Sequence, residues 1–108
     1  MIFKKKKNTN EDNTYDNQPQ ETDEVVRISD IYIPPEFART KPLDYKMRRC
    51  MYRYLRLHHL DKPISVIPET NERGKPNRLV LVDGYSRYLY AKQIDLTRVP
   101  VKYINNNI

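Results

Sequence analysis

The stretch from Leu79 to Tyr88, Leu-Val-Leu-Val-Asp-Gly-Tyr-Ser-Arg-Tyr, constrains the fold more than any other part of the chain. Four consecutive apolar residues predict a strand, and the residues after Gly84 predict a helix that begins with no loop in between. Gly84 can take the positive φ that so tight a junction demands. Ser86 is a good N-cap, and the helix would then offer free N–H groups and the positive end of its dipole. With Arg87 in the first turn, the junction has the chemistry of an anion site. The same residues also fit a plain Asp-Gly turn followed by a solvated arginine.

A second pattern lies upstream. From Leu43 to Leu60 the apolar residues Leu43, Met47, Cys50, Met51, Tyr54 and Leu55 recur at spacings of three and four, which predicts an amphipathic helix, led in by Pro42, with one face buried. Lys46, Arg49, Arg53 and Arg56 fall on one stripe of that helix, with Tyr45 and Tyr52 near its edge. The acid there is Asp44, in the first turn. Solvated helix faces usually mix signs, and like charges at these spacings cost a little stability. An anionic partner accounts for such a stripe, and so does simple solvation.

Val25-Val26-Arg27-Ile28 and Ile31-Tyr32-Ile33 predict a short strand or two fragments around Ser29-Asp30, stopped by Pro34-Pro35. Glu36 to Pro42 reads as an extended loop carrying Phe37 and Arg39. Leu60-Asp61-Lys62-Pro63 breaks the helix, Ile64 to Ile67 predicts a strand bounded by Pro68, and Glu69 to Asn77 a loop. Arg78 to Val82 is apolar enough to be a central strand. Ser86 to Ile94 forms the second helix, and Val99 to Ile104 closes the sheet, with Pro100 favouring an edge or a strand start. Strand, helix, strand, strand, helix, strand describes one compact α/β (α+β) domain, a small mixed sheet with two main helices.

Residues 1 to 24 contain few apolar side chains (Met1, Ile2, Phe3 and Tyr15) and read as a disordered charged arm. Residues 25 to 104 form the domain, and 105 to 108 a frayed tail. The net charge of +6 is unevenly divided: the arm carries −2 and the rest of the chain +8. A basic domain of this kind points to nucleic acid, nucleotide phosphates or an acidic surface. One cysteine, Cys50, allows no internal disulfide and no zinc module. His58 and His59 are neighbours that point about 100° apart on a helix, a poor chelating pair. No apolar run reaches the length of a membrane span, and Ile2-Phe3 ahead of four lysines has the wrong order for a signal peptide, so a cytoplasmic location is expected.

The order of elements, and the residues on them, resemble the ParB N-terminal and sulfiredoxin-like family over about residues 25 to 104. The matching residues are the opening Val-Arg-Ile-Ser-Asp-Ile, Arg39 before a proline-led helix, and Pro63, Ile64 and Val66. They continue with Val82-Asp83-Gly84, Arg87-Tyr88, Ala91-Lys92 and Val99-Pro100-Val101. The resemblance implies a stand-alone version of the domain, with CTP or ATP, and Mg²⁺ beside it, as candidate ligands. It implies a phosphate site made by Gly84, Ser86 and Arg87, with Arg39 from the loop and Lys46 from the first helix. ParB proteins usually read Gly-Glu-Arg-Arg where this chain has Gly84-Tyr85-Ser86-Arg87, and sulfiredoxins place their cysteine where Tyr85 stands. Sulfinic acid reduction is therefore not expected.

Three classes of function follow. A binding module would use Arg49, Arg53, Arg56 and Tyr52 on nucleic acid, and DNA in a regulatory or segregation role ranks first. A nucleotide-binding switch, or a hydrolase or nuclease at the Gly84 to Arg87 turn with Asp83 as its nearest carboxylate, ranks second. A protein partner held through the N-terminal arm is the third. No catalytic or metal-ligating set is assigned.

Overall fold

The computed structural model describes residues 18–104. The expected disorder of the first part of the arm, and the expected fraying of 105–108, fall outside the described residues. Strand β1 (Glu24–Arg27) runs through a single 3-10 turn (Ile28–Asp30) into the two-residue strand β2 (Ile31–Tyr32), then helix α1 (Pro35–Ala38) and helix α2 (Asp44–Leu57). A hairpin of β3 (Ile64–Thr70) and β4 (Pro76–Asp83) follows, then helix α3 (Tyr85–Gln93) and strand β5 (Arg98–Tyr103).

The five strands form one mixed sheet in the order β1-β5-β3-β4-β2. β3 is its centre, antiparallel to β4 and parallel to β5. Ile64 and Val66 of β3, Leu81 of β4, and Val99 and Val101 of β5 are at most 2% exposed. Each such side chain contributes roughly 1.5–3 kcal/mol through burial. Tyr90 and Ala91 of α3 and Cys50 of α2 join this cluster, and Tyr54 meets Tyr90 edge-on at 5.8 Å between ring centroids, fixing the two helices against each other.

Several expectations are corrected. The stretch read as an extended loop contains α1, because Pro35 is pre-set for a first helical position and Pro34 O accepts the N–H groups of Phe37 and Ala38. Helix α2 ends at Leu57, three residues early, because His58 adopts φ +65° and donates its N–H to Tyr54 O. Leu43 and Leu55 are exposed, since the core-facing arc of α2 runs through Met47, Cys50 and Tyr54 and Leu55 projects away from it. β4 is not the central strand: beyond β3 its neighbour is the two-residue β2, and Val82 stays open.

Two prolines sit inside strands where a boundary was expected, and the alternation of backbone groups explains both. Val66 O points toward β5, where it accepts the N–H of Ile104, so Pro68 also faces that side, past the end of β5. Val101 O points toward β1, so Pro100 faces β3, whose first residue Ile64 pairs with Val101 one step further on. Neither proline removes a bond that the sheet would have made. Residues 18–24, which composition assigns to the arm, pack on β5: Asp23 donates its N–H to Val101 O and accepts the N–H of Tyr103, and Glu21 pairs with Lys102 at 2.7 Å. Among the described residues no helix is long and apolar enough to cross a membrane.

Candidate functional site

β4 passes into α3 through a single residue. Gly84 has φ +96° and ψ 27°, and it is the N-cap, in place of the expected Ser86. An added Cβ would lie 3.4 Å from Ile64 Cα, an ordinary contact with the central strand, so it is the φ that calls for glycine here. The first helical bond is Tyr88 N–H to Gly84 O, and no side chain caps the helix. The N–H groups of Tyr85, Ser86 and Arg87 are thus without helical acceptors, at the positive end of a nine-residue helix.

The same three residues line a cavity of about 400 Å³, bounded on one side by the turn from Asp83 to Arg87 and on the other by α2 and the segment leading into it. α2 contributes Lys46, Arg49 and Arg53, and the segment before it contributes Lys41. With Arg87 that makes five cations against the carboxylates of Asp61 and Asp83, a net +3 over the lining. Phe37 and Tyr85 form an aromatic wall, their ring centroids 5.6 Å apart, and Tyr88 stacks behind Tyr85. Anions are therefore attracted by full charges and by oriented N–H groups at once.

Asp61 organises the inner part of the site. Arg87 donates Nε to Asp61 Oδ1 at 2.9 Å and Nη2 to Oδ2 at 3.2 Å, while Arg53 donates Nη1 to Oδ2 at 2.9 Å. Burial works against ionisation of Asp61, but the hydrogen bonds from Arg87 and then Arg53 outweigh it and hold the carboxyl down to about 2. The Cys50 thiol lies in the cavity wall, and burial pushes its pKa up despite the nearby Arg87. A protonated thiol there is a small core group and a poor nucleophile. Among the described residues no group of three His, Cys, Asp or Glu side chains is placed to hold a metal ion.

No family model matches the chain, and no curated protein matches it in sequence. Solved structures do match in shape. Sulfiredoxin from Arabidopsis thaliana aligns with a TM-score of 0.57 at 21% identity, over 77% of this chain and 86% of that one. The fold is ParB/sulfiredoxin-like. The chromosome-partitioning protein ParB from Caulobacter crescentus, complexed with CTP-γ-S, aligns with a TM-score of 0.53 at 17% identity over 78% of this chain. A free serine kinase in complex with AMP aligns with a TM-score of 0.56 at 12% identity over 84%. The chain spans 44% of the ParB chain and 34% of the kinase chain.

Within the ParB/sulfiredoxin-like fold, the expected phosphate-site residues divide. Gly84, Ser86, Arg87 and Lys46 meet in the cavity. Arg39 does not reach it: its Nε donates to Pro35 O at 3.3 Å, holding the exposed side chain on α1, and Lys41 lines the cavity instead. Of the residues expected to contact nucleic acid, Arg49 and Arg53 line the cavity, while Arg56 and Tyr52 lie outside it on the exposed side of α2. The sequence reading missed Asp61, taking Leu60 to Pro63 for a helix breaker. A lone acid directly after a helix bearing four aligned cations was the signal available.

Proposed function

We propose that the domain binds a nucleotide through its phosphates, in the cavity between α2 and the N-terminus of α3. The observation that carries this reading is the cavity itself: about 400 Å³, concave, net positive, with the uncapped first turn of α3 in its lining and an aromatic wall beside it. That volume suits a ligand of mononucleotide size better than a passing phosphate of duplex DNA. Two structures of the same fold, ParB with CTP-γ-S and the serine kinase with AMP, lend support at the level of fold. A Mg²⁺ ion accompanying the phosphates would find Asp83, which makes no ion pair among the described residues, whereas Asp61 is committed to two arginines.

Nucleic acid is the second reading, and one observation favours it. Tyr52 is 62% exposed and, with Arg56, continues the face that Tyr45 and Arg49 begin, where the Arg49 guanidinium sits 5.5 Å from the Tyr45 ring centroid. Rings interleaved with arginines suit unpaired bases and phosphates. An NMR titration of ¹⁵N-labelled protein with CTP, ATP, a short single-stranded DNA and the corresponding duplex, each with Mg²⁺, separates the two. Saturable shifts centred on Gly84 to Arg87 with one nucleotide are the expected result. Shifts confined to the exposed face of α2 with DNA, fading as salt rises, would replace the first reading by the second.

A further inference from the structure

Asp61 lies on the loop between α2 and β3, with its side chain only 10% exposed, and neither oxygen is free. Arg87 meets it side-on, through Nε and Nη2, which leaves Nη1 and the second hydrogen of Nη2 on the outer edge of the guanidinium. A planar guanidinium can hold two anions in this way, one on each edge. Arg53, reaching from α2 to the same Oδ2, ties the two helices that flank the cavity to one carboxylate. The three charges sum to +1, so this end of the site keeps its attraction for a phosphate while the two partly exposed arginines share one compensating carboxylate.

We infer that Asp61 is the positioning residue of the phosphate site, fixing Arg87 at the N-terminus of α3 with its outer edge left for a phosphate oxygen and locking α2 to it through Arg53. The inference rests on the nucleotide reading of the cavity. A carboxylate serving instead as an internal substitute for phosphate would have to give up three hydrogen bonds each time a ligand arrived. A pinned Arg87 pays its ordering cost during folding, so binding does not pay it again.

The test measures CTP and ATP binding by calorimetry for wild type, Asp61→Asn, Asp61→Glu and Arg53→Gln, together with the NMR signal of the Arg87 Nε–H group. In wild type that signal is expected to be slow to exchange at neutral pH, and to shift when nucleotide binds. Asp61→Asn should lose the protected signal and bind about tenfold more weakly, the scale of one charge-assisted hydrogen bond. Asp61→Glu should restore part of both, and Arg53→Gln, which keeps the Arg87 pair, should bind better than Asp61→Asn. Wild type binding with Asp61→Asn equal or tighter would overturn the positioning role and leave the cavity reading standing. Wild type binding neither nucleotide would refute the cavity reading, and the role of Asp61 with it. If Asp61→Asn does not fold, the Asp61→Glu and Arg53→Gln pair decides, and equal affinity in all three folded proteins overturns the role.

Discussion

Replacing Asp61 by asparagine should remove a pH-dependent share of the stability, and its size follows from the ion pairs. The carboxyl is held at about 2, against an ordinary 3.8, because the hydrogen bonds from Arg87 and Arg53 outweigh the cost of burial. A folded-state value below the unfolded one stabilises the protein fully above the unfolded value, and the gain is lost as pH falls toward the folded value. At roughly 1.4 kcal/mol per unit of pKa, the pair stabilises by about 2 kcal/mol near neutrality, of which about half is gone by pH 3. That is a substantial fraction of the roughly 5–15 kcal/mol that holds a domain together. Urea unfolding of wild type and Asp61→Asn, followed by circular dichroism at pH 7, 5, 4 and 3, measures the difference. The gap should stand near its full value at pH 7 and 5 and narrow by about 1 kcal/mol at pH 3. A gap of constant size across that range would refute the claim that Asp61 is ionised and paired in the folded state.

Gly84→Ala should lower stability by about 1–2 kcal/mol, chiefly through the φ of +96°, since the nearest contact of the added methyl is tolerable at 3.4 Å; an unchanged melting temperature would contradict this. His58→Gly should do the opposite, gaining about 1 kcal/mol in denaturant unfolding because a glycine takes the left-handed position at the end of α2 without strain. The Cys50 thiol, raised by burial, should react with an aromatic disulfide reagent far more slowly in the native protein than in denaturant, and equal rates would show that the α2 face is open.

The parts of the fold that the sequence disclosed are those encoded locally. The Val82-Asp83-Gly84 junction announced itself because only a glycine suits a positive φ between strand and helix, and the three-and-four spacing of Met47, Cys50 and Tyr54 fixed the buried face of α2. The errors arose where tertiary context overrides local pattern. Pro68 and Pro100 looked like strand ends, and only the staggered ends of β3 and β5 show why each is tolerated. Arg39 stands outside the cavity lining and Lys41 within it because the Arg39 side chain turns back onto Pro35 O of α1, a local bond that the sequence pattern does not reveal. Asp61 was hidden for a plainer reason: its partner Arg87 is 26 residues away, and nothing in the spacing of the two could pair them.

The strand order has a consequence for the chain during its synthesis. β5, the last of the described strands to be made, is the one that joins β1 to β3. Until residue 103 has left the ribosome, β1 has no neighbour in the sheet and the β5-facing edge of β3, from Ile64 to Val66, keeps its backbone groups unpaired. The β3–β4 hairpin and the two long helices can assemble earlier, but β1 joins the sheet only through β5, so a chain stalled before β5 leaves the edge of β3 open to pairing with another chain and the core without Val99 and Val101.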